Sequence, residues 1–317
     1  MKMNKTFKIL SVDGGGIRGI FSAHILKRIE DEFNIKLKDH FDLIAGTSTG
    51  AIIAGSVACG IDLGEVVNLY KNKGKDIFPK SWIYKIPVLK KLGEFPLTSS
   101  KYDKKNLKKI LDEKFKNIKL GEVDKPLIIP SSDIANGKVF VFKSQYDKDF
   151  VRDKNTRVAD AILCSCSAPT YFNPSETDNY LLADGGLWAN NPSLISVIDA
   201  KRRLGINFSD IKIFSIGTGL YKPEYNTDVH KNKKKRWGAI NGWKGLKLLD
   251  LIMSLQAQSV HNYLSLLLKP EQIKRLSFES EQPLPLDETT CVDKFLSKAD
   301  SMFTYEATKI KEFLEIK

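Results

Sequence analysis

Residues 41–60, FDLIAGTSTGAIIAGSVACG, constrain the fold more than any other stretch of the chain. Apolar-leaning residues from Phe41 run into Gly46-Thr47-Ser48-Thr49-Gly50, and a helical run of small residues follows at once. A strand that reverses this sharply into a helix leaves one side chain at the tip of the turn. The flanking glycines Gly46 and Gly50 remove the Cβ atoms that would collide there. The pattern is G-x-S-x-G in its strand-before, helix-after context, which makes Ser48 the expected nucleophile. Taken alone, the same stretch also fits a tight packing turn with a structural serine.

A second glycine-rich turn precedes it. Phe7 to Val12 reads as a buried strand, and Ile20 to Phe33 shows helical periodicity. Between them lies Asp13-Gly14-Gly15-Gly16-Ile17-Arg18-Gly19. Backbone N–H groups at a helix N-terminus are unpaired and carry the positive end of the helix dipole, so such a loop holds an anion. Gly14-x-Gly16-x-x-Gly19 also matches a dinucleotide fingerprint. The elbow that follows favours a different anion, the oxyanion of a tetrahedral intermediate, held by N–H donors of the glycine loop. Arg18 adds a positive charge suited to a phosphate-bearing substrate; its structural alternative is a salt bridge.

Further along, Asp62 to Lys75 reads as a helix N-capped by Asp62. Residues 77–96 mix aromatics, lysines and prolines, as a lid, an interfacial contact or a surface excursion would. Tyr102 to Phe115 is an expected helix, and Leu127 to Ala135 and Val139 to Phe142 are expected strands joined by an Asn136-Gly137 hairpin turn. A helix over Val158 to Ser165 and a strand over Tyr180 to Ala183 lead to Asp184-Gly185-Gly186. An acidic residue at a strand end sits where functional groups collect in open α/β sheets, so Asp184 is the candidate partner of Ser48. Pro192 opens a helix to Leu204, Ile211 to Ile216 is a buried strand, and residues 230–236 (HKNKKKR) form a basic run read as a solvated loop. Leu246 to Leu268 is an amphipathic helix, Ile273 to Glu279 an edge strand, and Thr290 to Ile316 a closing helix.

Composition narrows the partners. The 317 residues carry 50 Lys plus Arg against 38 Asp plus Glu, a formal net charge of +12. That balance favours anionic surfaces such as phospholipid headgroups or nucleic acid, or else reflects scattered lysines. No helix-turn-helix or zinc pattern is present, so DNA binding is not expected. The four cysteines (Cys59, Cys164, Cys166, Cys291) form no C-x-x-C pair, which fits a reduced, intracellular protein; Cys59 and Cys164 read as buried small hydrophobes. The N-terminal run is cut off by Asp13 and does not read as a signal peptide. No stretch approaches the about 18 apolar residues of a spanning helix. The expected location is therefore cytoplasmic, with peripheral membrane contact, and the expected organisation is one domain over residues 1–317.

A serine hydroxyl needs a base at the moment of attack. Of the four histidines (His24, His40, His230, His261), none follows a strand end in a hydrolase-like context. This favours a two-membered Ser48–Asp184 arrangement over a triad. An ordinary carboxylate, with a reference pKa of about 3.9, is a poor base at neutral pH. Burial would raise it into a useful range. Such a weak base suits esters better than amides, because an alkoxide leaves more easily than an amine anion.

Together, Asp13-Gly14-Gly15-Gly16-x-Arg18-Gly19, Gly46-Thr47-Ser48-Thr49-Gly50 and Asp184-Gly185-Gly186 resemble the patatin-like phospholipase family. Ser167-Ala168-Pro169-Thr170-Tyr171-Phe172, Asn190-Asn191-Pro192 and Ile216-Gly217-Thr218-Gly219 add to the likeness, which spans residues 7–219; residues 240–317 resemble the C-terminal helices of plant-type members. The resemblance implies a three-layer α/β/α fold with a mostly parallel central sheet, and metal-free acyl-ester hydrolysis of phospholipids. It implies Ser48 as nucleophile, Asp184 as base, and Gly14, Gly15, Gly16 and Arg18 as the oxyanion loop, with no cofactor. Bacterial members similar to this chain are switched on by cyclic oligonucleotides in antiphage defence, which makes such a nucleotide an expected activator. The alternative is a non-catalytic lipid- or nucleotide-binding protein on the same fold.

Overall fold

A computed structural model of the chain describes residues 6–78, 99–177, 179–221, 246–280 and 284–316. Its centre is a mixed eight-stranded sheet in the order β5-β6-β3-β2-β1-β7-β9, with β4 pairing β3 off this path. The strands are β1 (Phe7–Val12), β2 (Leu43–Gly46), β3 (Leu127–Asp133), β4 (Lys138–Lys143), β5 (Ser175–Thr177), β6 (Tyr180–Asp184), β7 (Ile211–Ile216) and, after the short β8 (Leu220–Tyr221), β9 (Ile273–Leu276). β3, β2, β1, β7 and β9 run parallel, while β4, β5 and β6 form the antiparallel flank.

The register of the parallel strands places the functional loops. Val12 pairs with both Gly46 and Ile216, so β1, β2 and β7 end at the same level. The glycine loop, the elbow and Gly217-Thr218-Gly219 therefore leave the sheet along one carboxyl edge, where open α/β sheets collect ligands. β6 enters antiparallel and pairs Asp184 with Ser131. Since β3 pairs Ile128 with Ala45, that places Asp184 level with the elbow rather than at the far edge.

Alternating residues of the buried strands feed two cores, one on each face. Leu10, Ile44, Ile129 and Phe214 pack with α1 (Gly19–Phe33), α2 (Thr49–Cys59), α3 (Leu63–Asn68), α4 (Lys105–Phe115), α5 (Val158–Ser165) and the C-terminal α8 (Val292–Leu314). Ile9, Leu43, Ala45, Ile128 and Ile213 face the other way, against α6 (Ser193–Arg203) and α7 (Leu246–Leu267). The result is three layers, α/β/α. Among the described residues, no helix is long and apolar enough to cross a membrane.

Several expected elements differ in detail. The helix expected over Asp62 to Lys75 is N-capped by Asp62, which accepts from Glu65 N, but it breaks at Leu69 into a wide π-type turn over Leu69–Lys73. That turn sets the Tyr70 hydroxyl against Thr49, a tertiary requirement that propensity does not encode. α4 begins at Lys105, because Tyr102 is held outside the helix by a bond from its N–H to the Tyr171 carbonyl. Pro192 stands at the N-cap rather than inside the first turn. The expected edge strand splits into β9 on the main sheet and β10 (Glu279–Ser280), which pairs with β8. Cys59 is only half-buried, at the end of α2, whereas Cys164 is buried. Residues 79–96 and the basic run 230–236 lie outside the described residues.

Candidate active site

Ser48 occupies the tip of the elbow with φ 54° and ψ −124°, a left-handed conformation unusual for a serine. Two tethers keep it there. Its own N–H donates to Ser165 Oγ at 2.9 Å, and Ser165 passes the strain on by donating to the Pro130 carbonyl of β3 at 2.6 Å. Thr47 Oγ1 donates to the Ala189 carbonyl at 2.6 Å. Glycine is required on both sides, since a Cβ on Gly46 would sit 2.1 Å from the Gly50 carbonyl oxygen, and one on Gly50 would sit 2.3 Å from that of Val12.

Ser48 Oγ donates to Asp184 Oδ2 at 2.7 Å. The other carboxylate oxygen, Oδ1, accepts the Gly186 N–H at 2.6 Å. The backbone around Asp184 is equally tied: its N–H donates to the Ser167 carbonyl at 2.9 Å and its carbonyl accepts from Ser132 Oγ at 2.8 Å. Gly185 fits because a Cβ there would lie 2.3 Å from the Pro130 carbonyl oxygen. Burial pushes the Asp184 carboxyl up to about 6, against the opposing hydrogen bonds from Ser48 and Gly186. A buried carboxylate with one strong partner per oxygen is thus poised nearer neutral pH than a free one. Cys166 also lies beside this pair, and burial together with the Asp184 charge pushes its thiol well up.

The glycine loop approaches from the β1 side and is held from three directions. The Gly14 N–H donates to the Asn190 carbonyl at 3.0 Å, the Gly14 carbonyl accepts from Thr218 Oγ1 at 2.7 Å, and the Ile17 N–H donates to the Leu286 carbonyl at 2.8 Å. Gly14 was expected to offer an oxyanion donor, but its N–H is already engaged. The Gly15 and Gly16 N–H groups have no acceptor among the described residues. Arg18 was expected near a substrate phosphate. Its buried guanidinium instead donates to the Gly15 carbonyl at 3.1 Å and to the Leu284 carbonyl at 3.2 Å, bracing the loop from behind. Thr49, which the motif reading did not single out, is the first residue of α2, so its N–H has no intrahelical acceptor.

Ser48, Asp184, Gly15, Gly16 and Thr49 all open into one cavity, whose walls include Ile52, Phe78, Leu107, Phe172, Met253 and Leu286. The walls are largely apolar. Such a site takes an acyl chain and presents its carbonyl carbon to the serine. Among the described residues, none of the histidines lines this cavity; His24 pairs with Asp300 at 2.9 Å and His40 with the Leu314 carbonyl at 2.7 Å.

Sequence reasoning missed the tethers Ser165, Asn190 and Thr218 and the bracing carbonyls of Leu284 and Leu286. Asn190 and Thr218 were visible only as family-like motifs. Leu284 and Leu286 left no local signal, because their backbone atoms act at a separation of some 270 residues along the chain.

These features define a class, and comparison with known proteins agrees. A family model described as patatin-like phospholipase matches residues 10–195, and the chain belongs to that family. It is 33% identical over 269 residues to a cGAMP-activated phospholipase of Escherichia coli (strain TW11681), covering 80% of this chain and 73% of that protein. It is 27% identical over 288 residues to a cUMP-AMP-activated phospholipase of Escherichia coli, covering 87% and 82%. It is 28% identical over 313 residues to patatin-like protein 2 of Oryza sativa subsp. indica, covering 86% and 75%.

Proposed function

We propose that the protein is a phospholipid acyl hydrolase that works through a Ser48–Asp184 dyad and is switched on by a cyclic oligonucleotide. The observation that carries this reading is the 2.7 Å hydrogen bond from Ser48 Oγ to Asp184 Oδ2 in a largely apolar cavity. Asp184 takes the hydroxyl proton as Ser48 Oγ attacks the ester carbonyl carbon. The N–H groups of Gly15, Gly16 and Thr49 receive the developing oxyanion, each donor contributing about 3 kcal/mol to the transition state. As the intermediate collapses, the C–O bond to the alcohol breaks and Asp184 returns its proton to the leaving alkoxide. Water, deprotonated by Asp184 in turn, attacks the acyl carbon; the bond to Ser48 Oγ breaks, Asp184 returns the proton to that oxygen, and the fatty acid leaves.

Two relatives are named for activation by cGAMP or cUMP-AMP, and these names support the nucleotide switch. The net charge of +12 supports work at an anionic membrane surface. The test is hydrolysis of a short-chain chromogenic ester and of phospholipid vesicles by the wild type and Ser48→Ala, each with and without cGAMP and cUMP-AMP. Activity that requires the nucleotide and disappears in Ser48→Ala is the expected result. Equal inactivity of both proteins under all conditions would favour a lipid- or nucleotide-binding role instead.

A further inference from the structure

Four of the large apolar side chains on the described surface belong to one helix, α7: Ile252 is 40% exposed, Leu255 54%, Tyr263 58% and Leu266 86%. The other exposed apolar residues are scattered over other elements. At 3.6 residues per turn, Leu248, Ile252, Leu255, Ser259, Tyr263 and Leu266 fall within one stripe about 80° wide. No Asp, Glu, Lys or Arg stands on that stripe; the helix's Asp250 and His261 lie on another flank. The inner side of the same helix is spoken for, since Val260 and Leu264 join the core. Leu249 and Met253 line the cavity that holds Ser48. The helix therefore forms a wall of the cavity with one side and shows an uncharged apolar ridge to solvent with another.

We infer that this stripe of α7 is the surface that docks on a phospholipid bilayer. The inference rests on the phospholipase reading for its purpose, though not for its geometry. A lipid reaching Ser48 must leave a bilayer and enter a cavity walled by Leu249 and Met253, one turn or less from Ile252. Seating the ridge in the leaflet places that wall against the lipid. Amphipathic helices of this kind lie in the interface with the apolar face sunk about 5–10 Å, strengthened by basic charge against anionic lipid. The chain supplies that charge, +12 overall. A second copy of the chain fits less well. Four partly exposed side chains in a single row offer on the order of a few hundred Å², short of the ~800 Å² per partner of a stable interface.

The experiment uses Leu255→Asp, Leu266→Asp and the double variant. Binding is measured in a Ser48→Ala background, so that lipid stays intact, by co-sedimentation with vesicles of phosphatidylethanolamine and phosphatidylglycerol. In the active background, hydrolysis of the short-chain ester in solution, with cGAMP and cUMP-AMP present, is followed, with thermal midpoint and light-scattering mass. The double variant should bind vesicles about tenfold more weakly or worse, while ester hydrolysis stays within about twofold and the midpoint and mass are unchanged. Vesicle binding equal to the parent would overturn the inference. So would a midpoint several degrees lower, which would mean that the chain itself covers the stripe, or a parent dimer that becomes monomeric. Loss of ester hydrolysis in the parent would sink the phospholipase reading and leave the vesicle result to decide the surface.

Discussion

At the residue scale, the proposed mechanism turns on one carboxyl, that of Asp184, acting as base. Burial raises Asp184 to about 6. Below that pH it is protonated and cannot take the Ser48 proton, so kcat/KM should rise with pH, tenfold per unit, and level off above about 6. A pH–rate profile with a soluble ester, with cGAMP and cUMP-AMP present, checks this. The same shift has a sign for stability. The native state holds the proton more tightly than the unfolded chain, so the fold loses stability as pH rises from about 4 to about 6, and the penalty is fully present above that window. Asp184→Asn removes the buried charge and should keep the thermal midpoint at pH 7 at or above the wild type. Its activity should fall by about a thousandfold or more, because an amide accepts no proton from Ser48. Gly15→Ala makes the complementary case. Its Cβ would lie 2.0 Å from Thr218 Oγ1, the group that holds the Gly14 carbonyl. The loop must shift, and turnover should drop by about a hundredfold or more while circular dichroism shows a folded protein.

At the element scale, what was legible in the sequence was what repeats locally. The periodicity of α1, the apolar run and glycines around β2 and α2, and the acidic residue at the end of β6 were all read from neighbouring residues, and the structure has them within a few positions. What was not legible was the set of bonds that cross the sheet. Ser165 is one serine in a small-residue helix, yet it joins the elbow N–H to the β3 carbonyl of Pro130. Nothing in its local pattern distinguishes it from a helix-packing serine, because its two partners lie on other elements, the elbow and β3. The broken helix after Asn68 is a similar case, since the Tyr70–Thr49 contact sets it and no local propensity does. Ser165→Ala should leave the buried Ser48 N–H without an acceptor, costing about 1–3 kcal/mol of stability. It should also lower kcat more than it raises KM, because the left-handed Ser48 conformation loses a tether; urea unfolding and steady-state kinetics read the two effects separately.

At the scale of the whole molecule, described residues after 219 complete a site whose motifs all lie before them. The family model ends at residue 195, but the first residue of the glycine motif, Asp13, is held by Arg275 of β9, whose guanidinium contacts Asp13 Oδ1 at 3.3 Å and Oδ2 at 2.5 Å. Arg275 also donates to Ser215 Oγ of β7 at 2.6 Å, so one side chain spans three adjacent strands at their shared carboxyl edge. Both charges are largely out of water, with 12% and 3% of the side chains exposed. Burial raises the Asp13 carboxyl, and Arg275 acts against that rise. Breaking a buried pair by removing one partner is far more costly than removing both, because a lone buried charge remains. Arg275→Met should therefore destabilise by about 3–5 kcal/mol and depress activity through the displaced glycine loop. Asp13→Asn combined with Arg275→Met should recover most of that stability. In the single variant the Asp13 carboxyl, raised further without its cation, binds its proton more tightly in the folded state. Its stability deficit should then shrink as pH is lowered, a trend that the double variant lacks. Urea midpoints of the three proteins across acid to neutral pH test both parts, and a deficit in Arg275→Met that neither acid nor Asp13→Asn relieves would mean that Arg275 acts by packing rather than by charge.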